Sequence, residues 1–201
     1  MTKRVELVFD FVSPNAYLIW WPLRDLVNRH GAELVLLPAF LGGMHKLTGN
    51  APPMIRDAEV KGKNAYAMLE MNRFIAKHGL TKWRMHPAFP FNSILLQRML
   101  FAACEDGRGV DFAEVLLKAI WEESLDVSSP EAVGAVVGAA GFDAADLFAR
   151  AQSDAVKQGL MAGTDAVVAR GAFGIPTMWV GDEMFFGKER LGQIEELLAQ
   201  G

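Results

Sequence analysis

The chain has a single cysteine, Cys104, in 201 residues. One cysteine cannot form a disulfide within the chain, a Cys-x-x-Cys redox pair or a cysteine-rich metal site. It also cannot cycle between a dithiol and a disulfide, so a disulfide oxidoreductase that uses its own cysteines is excluded. Cys104 ends an apolar, helix-like segment, which predicts a buried thiol that packs as a small hydrophobic group.

Long runs of basic or of apolar residues are missing as well. The formal net charge is −4, and no Lys/Arg run is long enough to follow a nucleic-acid backbone. No apolar run reaches the roughly 18 residues that indicate a membrane span, and the N-terminus lacks a signal-peptide pattern. The histidines and carboxylates show no metal-site spacing. We therefore expect a soluble, cytoplasmic protein that binds neither nucleic acid, membrane nor metal.

Both ends of the chain show strand patterns. Near the N-terminus, a strand over 3–11, a helix over 14–30 and a short strand over 33–38 predict a βαβ unit with parallel strands. Near the C-terminus, short strands over 176–180 and 184–186 flank a glycine-containing turn and predict a hairpin. A final helix is predicted after the hairpin.

The middle of the chain is predicted to be helical. Residues 41–56 contain clustered glycines and prolines, which predict a loop. After this loop, a hydrophobic period of about 3.6 residues predicts six helices, over 61–78, 93–105, 112–123, 130–139, 144–150 and 154–170. The pattern favours one small α/β domain that is interrupted by a long helical insertion.

Ser13 and Pro14 stand where the first strand pattern changes into a helix pattern. Serine is a preferred N-cap, and proline is pre-organised for the first helical position. The Ser13 hydroxyl is therefore predicted at the positive end of a helix, where an anion is stabilised. Ser13 is either a plain helix cap or part of an anion site, and the two roles can coexist because they use neighbouring groups.

A second signal is the segment Gly174-Ile175-Pro176-Thr177. Pro176 can open a strand at a sheet edge, or it can follow a cis bond that presents the backbone of Ile175 to a ligand. The order of a βαβ unit, helices, this segment, a hairpin and a closing helix resembles that of a thioredoxin fold. In that fold, the N-terminus of the first helix and a cis-proline loop meet at the active site.

Six segments, spread over nearly the whole chain, carry a more specific resemblance. They are Phe9-Asp10-Phe11-Val12-Ser13-Pro14 with Tyr17-Leu18, Gly49-Asn50 with Pro52-Pro53, Lys63-Asn64-Ala65-Tyr66, Phe89-Pro90-Phe91-Asn92, Phe173-Gly174-Ile175-Pro176-Thr177, and Phe186-Gly187-Lys188-Glu189-Arg190-Leu191. Each segment alone is a weak signal, but the six in this order are specific. Together they resemble one branch of the disulfide-oxidase-like thioredoxin folds, a branch that has lost its Cys-x-x-Cys pair. This branch holds the 2-hydroxychromene-2-carboxylate isomerases and the kappa-class glutathione transferases.

The resemblance implies an α/β, thioredoxin-like fold that is interrupted by a large all-helical insertion. Residues 1–42 and 171–201 form the discontinuous thioredoxin-like domain in this interpretation, and residues 43–170 form the helical insertion domain. Ser13 takes the place of the first cysteine of the lost pair. Its implied role is to donate a hydrogen bond to the thiolate of bound glutathione, a charge that the helix dipole also favours.

The resemblance also implies a set of glutathione contacts. The main chain of Ile175, next to Pro176, pairs with the cysteinyl amide of glutathione in a strand-like manner. Asn50 and Lys63 contact a carboxylate. The turn that enters the last helix binds the γ-glutamyl end and consists of Gly187, Lys188, Glu189 and Arg190.

Three features depart from the usual pattern of this branch. Glu189 stands where the branch usually has Asp, and Lys188 replaces a neutral residue. The stretch between Asn50 and Lys63 is a few residues longer than usual, so Lys61 competes with Lys63 as the carboxylate contact.

The substrate side is defined by fewer residues. Tyr17, Trp83 and Asn92 are candidates to line a pocket for an aromatic acid. For Asn92, a role as a helix cap is an equal alternative.

The function that follows from the resemblance is a glutathione-dependent isomerase in aromatic catabolism. It would convert a chromene-type aromatic carboxylate, as in the reaction from 2-hydroxychromene-2-carboxylate to trans-o-hydroxybenzylidenepyruvate, and would act as a homodimer. The first alternative is a kappa-class-like glutathione transferase or peroxidase, which consumes glutathione. A second alternative, from another class, is a non-catalytic thioredoxin-fold binding module that binds no glutathione.

Overall fold

A four-stranded mixed sheet forms the base of the fold in the computed structural model, which describes residues 3–200. The strands are β1 (Arg4–Phe9), β2 (Glu33–Pro38), β3 (Thr177–Val180) and β4 (Glu183–Phe186), and their order across the sheet is β2-β1-β3-β4. β1 pairs with β2 in parallel and with β3 in antiparallel orientation, and β3 and β4 form a hairpin. The predicted parallel βαβ unit and the predicted hairpin are both confirmed.

Ten α-helices, counted over residues 3–200, accompany the sheet. They are α1 (Pro14–Arg29), α2 (Leu41–Thr48), α3 (Pro53–Arg56), α4 (Lys63–Lys77), α5 (Ile94–Glu105), α6 (Gly109–Trp121), α7 (Pro130–Ala139), α8 (Ala144–Gln152), α9 (Asp154–Ala169) and α10 (Leu191–Ala199). A short 3-10 turn, Lys188–Arg190, precedes α10. All six helices predicted for the middle of the chain are present, with ends shifted by a few residues.

The prediction of a loop over residues 41–56 is wrong, because α2 and α3 form within it. The glycines of α2 are needed for close packing rather than for a turn. A Cβ added at Gly42 would lie 3.0 Å from the ring of Phe40. α2 ends where Gly49 adopts a left-handed conformation with φ +68°, which glycine adopts at little cost.

Two buried polar side chains attach the inserted helices to the end of β1. Gln97 of α5 is fully buried, and its amide nitrogen donates to the carbonyls of Phe9 (2.7 Å) and Ala39 (2.9 Å). Its amide oxygen accepts from the backbone N–H of Phe11 at 3.3 Å. The indole nitrogen of Trp121 in α6 donates to the Phe11 carbonyl at 3.1 Å. These bonds hold Phe9, the last residue of β1, and Phe11, which lies two residues before Ser13.

One hydrophobic core includes residues of the sheet and of the inserted helices. Phe11 makes edge-to-face ring contacts with Phe9 at 5.0 Å and with Phe112 of α6 at 6.3 Å. The division into a domain of residues 1–42 and 171–201 and an insertion of residues 43–170 stays a prediction.

Cys104 of α5 is half-buried, and burial raises the pKa of its thiol to about 12. Within residues 3–200, no helix is both long and apolar enough to cross a membrane.

Candidate functional site

The Ser13 turn contacts the Pro176 loop, as the element order predicted. Ser13 is the N-cap of α1 and is 4% exposed, and its hydroxyl oxygen accepts from the N–H of Ala16 at 3.3 Å. The same hydroxyl donates to the Ile175 carbonyl at 3.2 Å. The Ile175–Pro176 bond is cis, and Pro176 immediately precedes β3. The cap role of Ser13 is thus confirmed, and its hydroxyl also reaches the loop that precedes β3.

Asp10 supports the Ser13 turn through hydrogen bonds, and no local pattern in the sequence marks it as a site residue. Its carboxylate is fully buried and accepts from the N–H groups of Val12 (3.1 Å) and Leu41 (2.8 Å). Its carbonyl accepts from the N–H of Ser13 at 3.1 Å. Burial raises the pKa of Asp10 to about 6, although these hydrogen bonds and the Ser93 hydroxyl lower it. Asp10 therefore connects the Ser13 turn to the start of α2.

The loop over residues 173–177 also contacts two other predicted site segments, those of Asn50 and Gly187. The Phe173 carbonyl accepts from the side-chain amide of Asn50 at 2.7 Å. The Pro176 carbonyl accepts from the N–H of Gly187 at 3.0 Å. Together with the Ser13 contact, these bonds bring the Asn50 segment, the Ser13 turn and the Gly187 turn to one loop.

A cluster of charged side chains adjoins Asn50. The nearly buried carboxylate of Asp57 receives Lys63 Nζ at 2.9 Å and Arg56 Nη2 at 2.8 Å. Arg56 Nη1 also lies 3.5 Å from Asn50 Oδ1. Hydrogen bonds from Arg56 and Lys63 hold the pKa of Asp57 well below its usual range. Lys61 is exposed and makes no ion pair within the described residues.

Arg56 lies at the end of the segment predicted as a loop, and Asp57 lies between that segment and the next predicted helix, so no predicted element includes either functional position. The only available signal was the unusual length of the stretch between Asn50 and Lys63. The structure therefore places Lys63, rather than Lys61, in contact with the cluster beside Asn50.

The turn before α10 is built around a second charged pair. Gly187 has φ +97°, and a Cβ added there would lie 3.0 Å from Glu189 Oε2. Lys188 is 7% exposed, and its ammonium donates to the carboxylate of Glu189. The same ammonium lies 5.4 Å from the centre of the Phe74 ring, a cation–π distance. Glu189 is half exposed, and Arg190 is exposed.

The three predicted substrate residues do not form one group. Tyr17 is buried, and its hydroxyl donates to Glu122 Oε1 at 3.0 Å. Burial and the Glu122 carboxylate raise the pKa of Tyr17 above its ordinary value. Tyr17 lines a cavity of about 270 Å³ together with Trp21, Leu80, Lys82, Lys118 and Glu122, among others.

Trp83 and Asn92 are not among the residues that line this cavity. Asn92 Oδ1 accepts from the N–H of Ile94 at 3.0 Å, which is the helix-cap alternative. Trp83 is half-buried within the hydrophobic core. Their assignment to substrate stays a prediction.

The family model of the DSBA-like thioredoxin domain matches residues 4–199. The chain belongs to the DSBA-like thioredoxin family. Its α/β, thioredoxin-like fold with a helical insertion is therefore confirmed. A probable DsbA oxidoreductase from Streptomyces coelicolor shares the fold, with a TM-score of 0.74 at 19% identity over 98% of this chain and 89% of its own.

Proteins with enzyme names match the chain over nearly its whole length. A 2-hydroxychromene-2-carboxylate isomerase from Sphingobium xenophagum is 29% identical, over 98% of this chain and 99% of its own. Human glutathione S-transferase kappa 1 is 26% identical, over 100% of this chain and 92% of its own. A solved structure of a 2-hydroxychromene-2-carboxylate isomerase superposes with a TM-score of 0.83 at 26% identity, and the match covers 98% of this chain and 95% of the other. The resemblance found in the six motifs is confirmed, and it supports an enzymatic function.

Proposed function

We propose that this protein is a glutathione-dependent isomerase of a chromene-type aromatic carboxylate. The reaction is of the type that converts 2-hydroxychromene-2-carboxylate to trans-o-hydroxybenzylidenepyruvate. The observation that carries the proposal is the Ser13 hydroxyl, which lies at the N-terminus of α1 and 3.2 Å from the carbonyl that precedes Pro176. The match to isomerases along the whole chain supports the same reaction class. The proposal places the reaction in cytoplasmic aromatic catabolism.

The chemistry of the site fits glutathione, which carries two carboxylates, an ammonium group and extended amides. The main chain of Ile175 offers strand-like pairing to an extended peptide. Arg56 and Lys63 supply positive charge near Asn50, and Glu189 supplies a carboxylate near Gly187. We assign Asn50, Arg56 and Lys63 to a carboxylate of glutathione. We assign the turn of residues Gly187 to Arg190 to the γ-glutamyl end.

The protein provides orientation and electrostatics for a nucleophile that it does not contain. When bound, glutathione would supply the thiolate for a reversible addition to a conjugated carbon of the substrate, so that rotation about a bond becomes possible and no glutathione is consumed. Ser13 donates a hydrogen bond toward this sulfur, because a charged acceptor is stronger than the neutral Ile175 carbonyl. The N-terminus of α1 adds the partial positive charge of its free N–H groups. Both effects favour the thiolate over the thiol.

The test of this proposal is whether turnover requires glutathione and leaves it unchanged. The isomerisation of 2-hydroxychromene-2-carboxylate is followed with and without added glutathione, and total glutathione is measured after many turnovers. We expect no turnover without glutathione and no loss of it. Turnover at an equal rate without glutathione, or no glutathione binding in a calorimetric titration, would refute the proposal. The second outcome would favour the non-catalytic binding module.

A kappa-class-like transferase or peroxidase is the second candidate, because the match to human glutathione S-transferase kappa 1 covers the whole chain. This activity would use the same Ser13 site but consume glutathione. Conjugation of an electrophilic nitroaromatic, without isomerisation of the chromene carboxylate, would favour this second candidate.

We also propose that the protein is a homodimer. Helix α4 buries only Phe74 among its residues, and it exposes Tyr66 (59%), Met68 (45%) and Leu69 (46%). The neighbouring α3 exposes Ile55 (66%). Exposed apolar side chains in such number mark an interaction surface. In a two-fold dimer, the apolar surface of α3 and α4 in one copy would cover the same surface in the other copy.

A further inference from the structure

We propose that the cavity between β2, α5 and α9 is a binding site for an apolar α-amino acid in its zwitterionic form. The cavity has a volume of about 400 Å³, which lies within the range of small-molecule sites. It shares no lining residue with the cavity of Tyr17 or with the predicted glutathione contacts. The proposed amino-acid site is therefore independent of the Ser13 site.

Most of the cavity wall is apolar. Leu37 and Pro38 of β2, Phe101 of α5 and Val167 of α9 are among the residues that line it. A Cβ added at Gly159 of α9 would overlap the ring of Phe101, so the missing side chain lets this ring pack against α9. Walls of this kind favour an apolar group of a ligand, because its burial removes apolar surface from water.

The free edge of the sheet adds a hydrogen-bond donor and an acceptor. Glu33 N–H donates to the Lys3 carbonyl and Ala39 N–H to the Phe9 carbonyl, so the odd-numbered residues of β2 bond to β1. Successive residues of a strand direct their backbone groups to opposite sides, and β2 is an edge strand. The N–H and carbonyl of Leu36 therefore point away from β1.

Leu36 lines the cavity and is only 8% exposed. No turn, loop or side chain within residues 3–200 bonds to its N–H or to its carbonyl. Buried backbone groups without a partner cost free energy. A ligand that offers both an acceptor and a donor at Leu36 would remove this cost.

One charge of each sign lies on two different walls of the cavity. Glu105 of α5 and Arg170 of α9 both line it, and their side chains are 52% and 42% exposed. Glu105 places Oε2 on Arg150 at 2.9 Å, and Arg170 places Nη2 on Glu6 at 2.7 Å. Within the described residues, Glu105 Oε1 and most of the five guanidinium donors of Arg170 are left for a ligand.

An α-amino acid matches these groups in number and in sign. Its ammonium would bind Glu105 and the Leu36 carbonyl, and its carboxylate would bind Arg170 and the Leu36 N–H. Its apolar side chain would pack against Phe101. An uncharged apolar molecule leaves Leu36 without partners, and a simple amine or acid neutralises only one of the two charges.

The experiment compares four probes that differ by one group each. L-phenylalanine carries all three features, 2-phenylethylamine lacks the carboxylate, 3-phenylpropionate lacks the ammonium, and L-glutamine replaces the apolar side chain with a polar one. Dissociation constants are measured by calorimetry on the whole chain. We expect L-phenylalanine to bind about tenfold more tightly than either single-charge probe, or by ~1.4 kcal/mol, and L-glutamine to show no binding.

Glu105→Gln tests the ammonium contact. It should weaken L-phenylalanine and 2-phenylethylamine about fivefold and change 3-phenylpropionate by less than about twofold. Asp106→Asn is the matched control, because Asp106 pairs with the same Arg150 at 2.6 Å but does not line the cavity. Equal losses for all probes in Glu105→Gln, or the same pattern in Asp106→Asn, would overturn the assigned contact.

Ala166→Phe tests the location of the site. Ala166 lines the cavity but is exposed, so a larger side chain there fills the cavity without displacing the core. We expect it to abolish binding of L-phenylalanine. Cys104 also lines the cavity and is the only cysteine, so bound L-phenylalanine should slow its alkylation by iodoacetamide. A native protein that does not bind L-phenylalanine would overturn the proposal, as would binding that persists in Ala166→Phe or leaves the alkylation rate of Cys104 unchanged.

Discussion

Asp10 shows how much a single buried residue contributes to the geometry of the site. Its carboxylate and carbonyl together hold Val12, Ser13 and Leu41 through three backbone N–H groups. These bonds fix the turn from which the Ser13 hydroxyl donates to the Ile175 carbonyl. The cost is the burial of a carboxyl group, whose pKa rises to about 6 because desolvation disfavours the charged form.

This raised pKa predicts a pH dependence of the free energy of unfolding. Between about pH 4 and 6, folded Asp10 binds more protons than unfolded Asp10, so its contribution to stability is present at low pH and lost as pH rises through 6. Asp10→Asn should remove this decrease. The control Asp143→Asn changes an exposed helix cap, which accepts from Asp146 N–H at 3.0 Å, and should keep it. Urea titrations across this range measure the slope, and an unchanged slope in Asp10→Asn would contradict the assignment.

At the scale of helices and strands, the sequence predicted the regular elements well and their polar anchors poorly. The Ser13 cap, the Pro176 loop and the six middle helices follow from local patterns, because caps and amphipathic periods are local. Gln97 carried no such signal, since a glutamine on a helix is usually solvent-facing. Its burial depends on where α5 meets β1 and β2, which is a property of the tertiary fold. Arg56 and Asp57 were missed for a related reason, because a four-residue helix has no detectable period.

Gln97 should be a large contributor to the attachment of α5. Gln97→Leu leaves the Ala39 carbonyl and the Phe11 N–H without their partner, whereas the Phe9 carbonyl keeps the N–H of Ala39 at 3.1 Å. Unpaired buried groups of this kind cost about 1–3 kcal/mol each, so we expect a loss of about 3 kcal/mol in the free energy of unfolding. Gln158→Leu on the exposed face of α9 is the control, with a change within about 0.5 kcal/mol. Urea unfolding that shows equal stability for both variants would contradict the anchoring role.

At the scale of the whole molecule, sheet pairing explains why distant parts of the chain form one site. Val8 of β1 is paired with Thr177 of β3, so the residues after β1 and the residues before β3 emerge at the same end of the sheet. Ser13 and Ile175 are 162 positions apart in sequence and in contact for this reason. The Asn50 segment and the Gly187 turn then join the same loop through Phe173 and Pro176.

The oligomeric state is the prediction that belongs to this scale. Leu69→Glu places a charge in the apolar surface of α4 and should convert a dimer into a monomer, because burial of an unpaired charge is costly. Met161→Glu is the matched control, since Met161 is an exposed apolar residue on α9 (62%). Sedimentation velocity distinguishes the two states. A native protein that sediments as a monomer would contradict the proposal, and so would a dimer that persists in Leu69→Glu.

The central claim, that Ser13 stabilises the thiolate of bound glutathione, is tested most directly by the pKa of that thiol. The chain supplies its own control, because Ser129 precedes Pro130 and caps α7 in the same way, with its hydroxyl accepting from Ala132 N–H at 3.2 Å. Ser13→Ala and Ser129→Ala should each lower the free energy of unfolding by about 1 kcal/mol, because each removes a helix N-cap. Thiolate absorbance across a pH titration gives the pKa of bound glutathione. We predict a value below the ordinary ~8.5 of a thiol in the native protein and in Ser129→Ala, and a rise of about 1 unit in Ser13→Ala. An unchanged pKa of bound glutathione in Ser13→Ala would contradict the account.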